Sequence, residues 1–475
     1  MTTGFLAVGG CAQIPDLGAL PTVNPVANLD SAKSFDAPAG VWPGDGWWRA
    51  YADAQLDALI AEALNGSPTL KVAEARFHQA GGMVQSAGAT RLPEVSGNAA
   101  LDETKQSYNY LMPQGDFPGA VPKNWHDYGQ ATLNMSWELD FWGKNRSALA
   151  AATSEQQASL VETAEARLLL STSIASAYAE LSHLYTVRDA DAEALALRSK
   201  TAALFRQRYV NGMETMASVN RVEARQDEAE ANLHASDERI ALQKNALAAL
   251  LGAGPDRGLA IKRPTAHIPV STGLPPRLAS DLLGRRPDVV AARLRTEAAA
   301  RRIDQAKAGF YPSVNLIGML GMQSLGIHNL GKSGSDIGDA GVGLSLPIFN
   351  TERLQGQLRG VHAEYEMSVA NYDATLSNAL HEVADAATSR KALGAELRAT
   401  RSSVIAARKA YDIVNQRYRG QLASYLDVTT AEDELVSAKR AQADVEARAM
   451  SLDVALVRAL GGGFQSHEGT SPAGR

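Results

Sequence analysis

The sequence of 475 residues contains a single cysteine, Cys11, so no disulfide can form within the chain. It has no run of about 18 or more apolar residues, which excludes a transmembrane helix but leaves spanning strands, since these need only about 9–11 residues. It also lacks a Lys or Arg tract, and its net charge of −6 argues against nucleic acid as a partner. A water-soluble chain of this length would hold two or three domains.

Cys11 follows a short apolar run that resembles a bacterial lipobox, in which the cysteine is acylated and becomes the mature N-terminus. Only ten residues precede it and none is Lys or Arg, which predicts a truncated signal sequence. Two acyl chains on Cys11 would anchor the chain firmly in a membrane. The alternative is a chance cysteine in an unstructured start.

The spacing of apolar residues changes abruptly near residue 140. From residue 130 to 141, polar and apolar side chains alternate without a break, which predicts a strand with one polar and one apolar face. After Gly143 a segment rich in Ala, Leu and Glu continues to Val210 without Pro or Gly. At 1.5 Å per residue, this segment predicts a helix of about 100 Å.

The order of strand, strand, long helix and long helix occurs twice along the chain, which predicts an internal duplication. Tyr209 and Tyr418 are 209 residues apart, and this spacing holds to the end of the second copy. Gly212 and Gly420 break the register, because Gly212 lies three residues after its tyrosine and Gly420 lies only two after its own.

The predicted segments follow the duplication. They are the signal sequence, lipobox and extended tether (1–46), the first repeat (47–252), a connector (253–284), the second repeat (285–463) and a disordered tail (464–475). Helices open each repeat. Strands are expected at about 93–105, 128–141, 312–323 and 338–349, and long helices at about 144–207, 217–251, 351–416 and 427–460.

Four strands cannot close a membrane barrel, since the smallest such barrels have about eight strands and open edges are not tolerated in hydrocarbon. The barrel must therefore be shared, with eight strands in a dimer or twelve in a trimer. Helices of this length must pack side by side as coiled coils. The fold class that follows is a membrane β-barrel combined with an α-helical barrel, closing only as an oligomer.

Several motifs resemble hallmarks of the TolC/OprM-type outer-membrane factors (outer membrane efflux proteins), and the lipobox suggests their NodT-like lipoprotein branch. The motifs include residues 137–146, 285–288 and 346–349, and the resemblance covers about 47–463. It implies a trimer with a twelve-stranded barrel in the outer membrane, a twelve-helix periplasmic tunnel and an equatorial collar that includes the connector. Arg293 and Gly420 depart from the family pattern.

The function predicted from this reading is a passive exit duct for small molecules, the outer-membrane component of a tripartite efflux or secretion system. The implied partners are two further copies of the chain, a periplasmic adaptor (membrane fusion protein), an inner-membrane pump and outer-membrane lipid. The alternative is a periplasmic coiled-coil adaptor or scaffold. Four strands beside two duplicated hairpins argue against that alternative, because an adaptor is expected to carry one hairpin.

Two sets of residues are candidates for function. The polar strand face is expected to line the barrel lumen, while Leu133, Trp137 and Phe141 are expected to face lipid or the membrane interface. The helix tips are expected to form a periplasmic gate, with helix capping and packing as the plain alternative. The lumen candidates are Gln130, Thr132, Asn134, Glu138 and Asp140, and the gate candidates are Arg208, Tyr209, Arg417, Tyr418, Tyr425 and Asp427.

Two short segments resemble motifs for binding a phosphate or a metal, but the residues around them do not fit such sites. Residues 326–333 match the phosphate-loop pattern, but a strand rather than a helix is predicted to follow them. His381 and Glu382 begin a zinc-helix pattern whose second histidine is missing. We therefore predict no catalytic, cofactor or metal site and no enzymatic activity.

Overall fold

The computed structural model describes residues 13–25, 29, 33, 35, 40–105, 107, 123–267, 274–275 and 278–466. Cys11 and most of the predicted tail lie outside these residues. The chain divides into two units. Unit 1 comprises residues 1–22, 78–158 and 293–370, and unit 2 comprises residues 23–77, 159–292 and 371–475. The divisions fall inside four helices, so each unit contains parts of several continuous elements.

Unit 1 carries a four-stranded antiparallel sheet in the order β1-β2-β3-β4. The strands are β1 (Glu94–Thr104), β2 (His126–Leu139), β3 (Ser313–Leu325) and β4 (Asp336–Ser345). The four predicted strands are thus confirmed. Within the described residues β1 pairs only with β2, and β4 only with β3, so both outer strands present an unpaired edge.

The register of the sheet collects the apolar side chains on one face. Val95 lies opposite Met135, Leu133 opposite Leu320, and Leu316 opposite Val342. Because side chains alternate along each strand, the other face carries the polar residues of β2, together with Ile317 and Met319 of β3. Leu133, Leu320 and Val342 are 60%, 71% and 67% exposed, so the described part of the chain leaves the apolar face uncovered.

Two strands end earlier than the sequence pattern predicts. After Leu139 the amide of Phe141 donates to the Leu139 carbonyl, and Gly143 adopts φ +80°, so the chain turns before the predicted end at 141. β4 ends at Ser345 rather than 349 because Pro347 has no N–H to offer the ladder.

Helices flank and follow the strands. They are α1 (Ala54–Gly66), α2 (Pro68–Ala89), α3 (Lys144–Val210), α4 (Met216–Leu250), α5 (Asp256–Leu259), α6 (Leu278–Arg285), α7 (Pro287–Ala308), α8 (Thr351–Arg419) and α9 (Tyr425–Ala459). A short 3-10 helix, Trp47–Tyr51, precedes α1. None of the helices in the described part of the chain is both long and apolar enough to cross a membrane.

Each unit has its own apolar core. In unit 1, Ile303 and Phe310 pack with Leu354 and Leu358 where α7 and α8 meet the sheet. In unit 2, a larger cluster joins the N-terminal helices to α3, α4 and α9. Its most deeply buried members include Tyr51, Leu56, Ile60, Ile174, Tyr178 and Leu247.

Candidate functional site

The first candidate site is the polar face of the sheet in unit 1. Gln130, Thr132, Asn134 and Glu138 all lie on this face by register. The Tyr128 hydroxyl bridges the side-chain oxygens of Gln130 and Gln323 at 3.1 and 3.2 Å, and Asn134 Nδ2 donates to Thr132 Oγ1 at 3.2 Å. Polar side chains therefore form hydrogen bonds along and across neighbouring strands of one face.

Glu138 and Asp140 lie at the end of this face, where β2 gives way to α3. Glu138 accepts two hydrogen bonds from Lys144 Nζ at 3.0 Å. Asp140 lies beyond the strand, and its carboxylate accepts from the backbone amides of Asn145 at 3.2 Å and Arg146 at 2.8 Å. It thus satisfies donors that the start of a helix leaves free.

The second candidate site lies at the helix tips in unit 2, where two turns share one geometry. At the end of α3, Gly212 adopts φ +71° and the Met213 amide donates to the Arg208 carbonyl at 2.9 Å. At the end of α8, Gln421 adopts φ +61° and the Leu422 amide donates to the Arg417 carbonyl at 2.8 Å. Both turns have the 6→1 bond of the Schellman motif.

The turns keep the 209-residue register although their glycines do not. Gln421, not Gly420, takes the left-handed position that Gly212 holds in the first copy. The next helices also begin in register, with Thr215 capping α4 and Ser424 capping α9. The shifted glycine therefore leaves the path of the turn unchanged.

Tyr418 is the centre of a cluster that joins the two tips. The Tyr418 ring stacks on Phe205 with centroids 5.2 Å apart. The guanidinium of Arg208, a residue of α3, lies 4.6 Å from the centroid of the same ring. Its hydroxyl donates to Glu214 Oε1 at 2.6 Å. Burial raises the pKa of Tyr418, so the hydroxyl keeps its proton and donates to the carboxylate.

The other gate candidates have different surroundings. Tyr425 packs edge-on against Phe205, with centroids 5.1 Å apart. Asp427 forms a capping box with Ser424, accepting from both its amide and its hydroxyl at 2.7 Å, and these bonds lower the Asp427 pKa. Tyr209 is 42% exposed, and Arg417 is also exposed.

Sequence reasoning missed Phe205 and Glu214. Both belong to the first repeat, while the tyrosine that they contact belongs to the second. Phe205 follows an ordinary helical spacing, and Glu214 is one charged residue in a turn. Their contact with Tyr418 becomes visible only when the two hairpins are paired.

Neither candidate site contains a recognised ligand set. In the described part of the chain, no group of three or more His, Cys, Asp or Glu could hold a metal ion. The phosphate-loop pattern forms a short 3-10 helix, Ile327–Asn329, and leads into β4. It lacks the following α-helix whose N-terminus would bind a phosphate.

A sheet with one apolar and one polar face, combined with two pairs of long helices, defines an outer-membrane channel protein. The chain belongs to the outer membrane efflux protein family, whose sequence pattern it matches over residues 59–253 and 278–462. It is thus an outer-membrane channel protein of efflux systems, with its helices extending into the periplasm.

Individual relatives agree with this assignment. The chain is 35% identical over 365 residues to the fusaric acid resistance protein FusA of Burkholderia cepacia, covering 75% of this chain and 68% of FusA. It is 29% identical to the multidrug resistance outer membrane protein MdtP of Escherichia coli, covering 97% of this chain and 94% of MdtP. The solved outer membrane protein VceC of Vibrio cholerae is 46% identical, with a TM-score of 0.83 over 89% of this chain and 100% of VceC.

Proposed function

We propose that three copies of the chain form a passive exit duct for small molecules, with three four-stranded sheets closing a twelve-stranded barrel. The observation that carries this proposal is the sheet with two unpaired edges and an exposed apolar face. An open edge is not tolerated in hydrocarbon, because its amides and carbonyls have no water to bind. Pairing β4 of one copy with β1 of the next removes every edge.

In such a barrel the polar face lines the lumen. Gln130, Thr132, Asn134 and Glu138 are the proposed lining residues, and the apolar face contacts lipid. Asp140 we assign instead to the start of α3, since helix amides already occupy its carboxylate. Cys11 remains a predicted lipid-anchor site. In support of it, the carbonyl of Gln13 accepts from Gln355 at 3.1 Å, within the unit that carries the sheet.

The partners that we propose are a periplasmic adaptor and an inner-membrane pump. FusA and MdtP are named for resistance to fusaric acid and to multiple drugs, which supports export of small molecules. The adaptor would dock on the helix tips, where large apolar side chains remain exposed. They are Val210, Met213, Met216, Leu422 and Leu426. The pump supplies the energy, and the duct itself needs neither a cofactor nor catalysis.

We propose that the tips also close the duct. Tyr418 would act as a latch between the hairpins through Glu214 and Arg208. Opening separates the hairpins and breaks these contacts. Tyr209 and Arg417 are exposed and lie outside this latch, while Tyr425 and Asp427 stabilise the turn on which the latch depends.

Single-channel conductance in a planar bilayer tests the duct and its latch. Tyr418→Phe removes the hydroxyl and keeps the stacked ring, so the open probability should rise roughly tenfold, the effect of losing one hydrogen bond to a charged group. Tyr209→Phe is the matched control and should leave the channel closed. The absence of channels in both the wild type and Tyr418→Phe would refute the duct. An equal rise in open probability in both variants would contradict the assignment of the latch to Tyr418.

A further inference from the structure

An aromatic and basic cleft lies where the two central strands meet their helices. Trp142 and Tyr311 stack with centroids 4.6 Å apart, and Trp142 Nε1 donates to the Pro312 carbonyl at 2.8 Å. Together with Arg146 and Lys307 they line a cleft of about 350 Å³, which we call the Trp142 cleft. Both rings remain about half exposed, at 51% and 43%.

The position of the cleft around α7 shows which side of the sheet it faces. A larger cavity of about 800 Å³ shares the Trp142–Tyr311 pair and is lined by Glu138, Ser313 and Ser345, residues of the polar face. On α7 that cavity uses residues 302, 305 and 306, whereas the Trp142 cleft uses 304 and 307, and residue 308 between them lines both. At about 100° per residue these two sets lie on opposite sides of the helix. The Trp142 cleft therefore opens on the side of the apolar face.

The cleft also stays clear of the edges that other copies would cover. It adjoins the end of β2 and the start of β3, which are the two central strands of the sheet. The unpaired edges belong to β1 and β4. Closure of the barrel through those edges leaves the Trp142 cleft facing lipid.

The charges at the cleft favour an anion. Lys307 is exposed and makes no ion pair within the described residues. Arg146 is 63% exposed and forms an ion pair with Asp140 at 3.5 Å, a distance longer than the bonds that the same carboxylate accepts from backbone amides. Asp304 is the only acidic residue among the described residues of the lining, and it pairs with Arg301 at 3.6 Å. Lys307 is thus unpaired within the described residues, and Arg146 holds only one long, exposed ion pair that a phosphate oxygen can replace.

We propose that the Trp142 cleft binds the phosphate of an anionic phospholipid in the periplasmic leaflet of the outer membrane. This inference rests on the proposed barrel, since it requires the apolar face to lie in lipid. All four strands meet their helices at this end of the sheet, so it faces the periplasm. Trp and Tyr are enriched at headgroup level, and juxtamembrane Lys and Arg attract anionic headgroups.

Native mass spectrometry of the detergent-solubilised oligomer tests the proposal with phosphatidylglycerol and phosphatidylethanolamine as probes. Arg146→Gln and Lys307→Gln should each weaken phosphatidylglycerol binding roughly fivefold, and the double variant about thirtyfold, as expected for two charges near a headgroup. Arg353→Gln is the matched control, because Arg353 is an exposed cation of the larger cavity on the other side of α7. It should change binding less than twofold, about the effect of one peripheral charge.

Three outcomes would overturn the lipid assignment. One is undiminished phosphatidylglycerol binding by the double variant. Another is an equal loss for phosphatidylethanolamine, which would show that the cleft holds the phosphate common to both lipids without selecting an anionic headgroup. The third is tight binding of inorganic phosphate alone, which would make the ligand a free anion. Channel conductance of the same variants separates these results from a failure of the duct, since the variants should conduct as the wild type does.

Discussion

Tyr209 and Tyr418 occupy equivalent positions in the two copies but have different environments. Tyr209 is 42% exposed, whereas Tyr418 is 3% exposed between Phe205 and Arg208. The duplicated motif marks both as tip residues, and nothing in the motif distinguishes them. The difference arises from partners supplied by the other repeat, so periodicity along the chain does not reveal it.

Glu223 and Glu432 also occupy equivalent positions in the two copies, but packing gives them different environments. Glu223 has a partly exposed side chain and forms an ion pair with Arg206 at 2.5 Å. Glu432 is 2% exposed, accepts from Thr201 Oγ1 at 3.0 Å and lies 3.6 Å from Arg198. Burial raises the pKa of Glu432 more than Thr201, Arg198 and Arg225 lower it, and Asp433 adds to the rise.

Ionised Glu432 should therefore make stability pH-dependent. Its native pKa is above the ordinary value of 4.5, so the native state holds the proton more tightly than the unfolded state. Below pH 4.5 there is no penalty, and stability falls as pH rises from there through the raised pKa. Glu432→Gln should remove this loss, measured by thermal unfolding of the oligomer between pH 4 and 8. Glu223→Gln is the control and should keep the wild-type slope. An unchanged slope in Glu432→Gln would contradict the assignment.

At the scale of elements, the tip turn between α8 and α9 contains a correctable strain. Gln421 adopts the left-handed conformation at φ +61°, which costs a residue with a Cβ about 1 kcal/mol relative to glycine. Gln421→Gly should therefore stabilise the turn by about 1 kcal/mol, reduced somewhat by the added freedom of glycine when unfolded.

Hydrogen exchange of the Gln421 and Leu422 amides measures this change, because those amides close the turn on Tyr418 and Arg417. Exchange should slow up to about fivefold, the equivalent of 1 kcal/mol. Gly212→Gln provides the reverse experiment in the first copy and should speed exchange at Met213. If the two substitutions have the same sign, the shared geometry of the turns does not govern their stability.

The polar and apolar pattern of the sequence does not predict where a strand ends. Alternation identified the polar and apolar faces of β2 but continued through Asp140 and Phe141, beyond the strand. Asp140 fits the alternation equally well as a strand residue or as the capping group of α3. Asp140 caps α3 because the backbone turns at Phe141 and Gly143. The polar and apolar pattern contains no information about this turn.

For the whole molecule, the two-faced sheet and the paired helices follow from periodicity, and the need for several copies follows from the hydrogen-bonding demands of a strand edge. We retain the repeats 47–252 and 285–463 as a proposal, supported by tip turns and helix caps that keep the 209-residue spacing. The Trp142 cleft was beyond prediction because its stacked rings lie 169 residues apart in the chain.

The most direct test of the duct is the accessibility of the two sheet faces to a charged, membrane-impermeant thiol reagent during conductance recording. Replacing Cys11, the only cysteine, by serine gives a background in which Gln130→Cys marks the polar face and Leu133→Cys the apolar face. The account predicts that the reagent lowers the conductance of Gln130→Cys and leaves that of Leu133→Cys unchanged. Equal modification of both positions, or modification of Leu133→Cys alone, would contradict a barrel with a polar lumen.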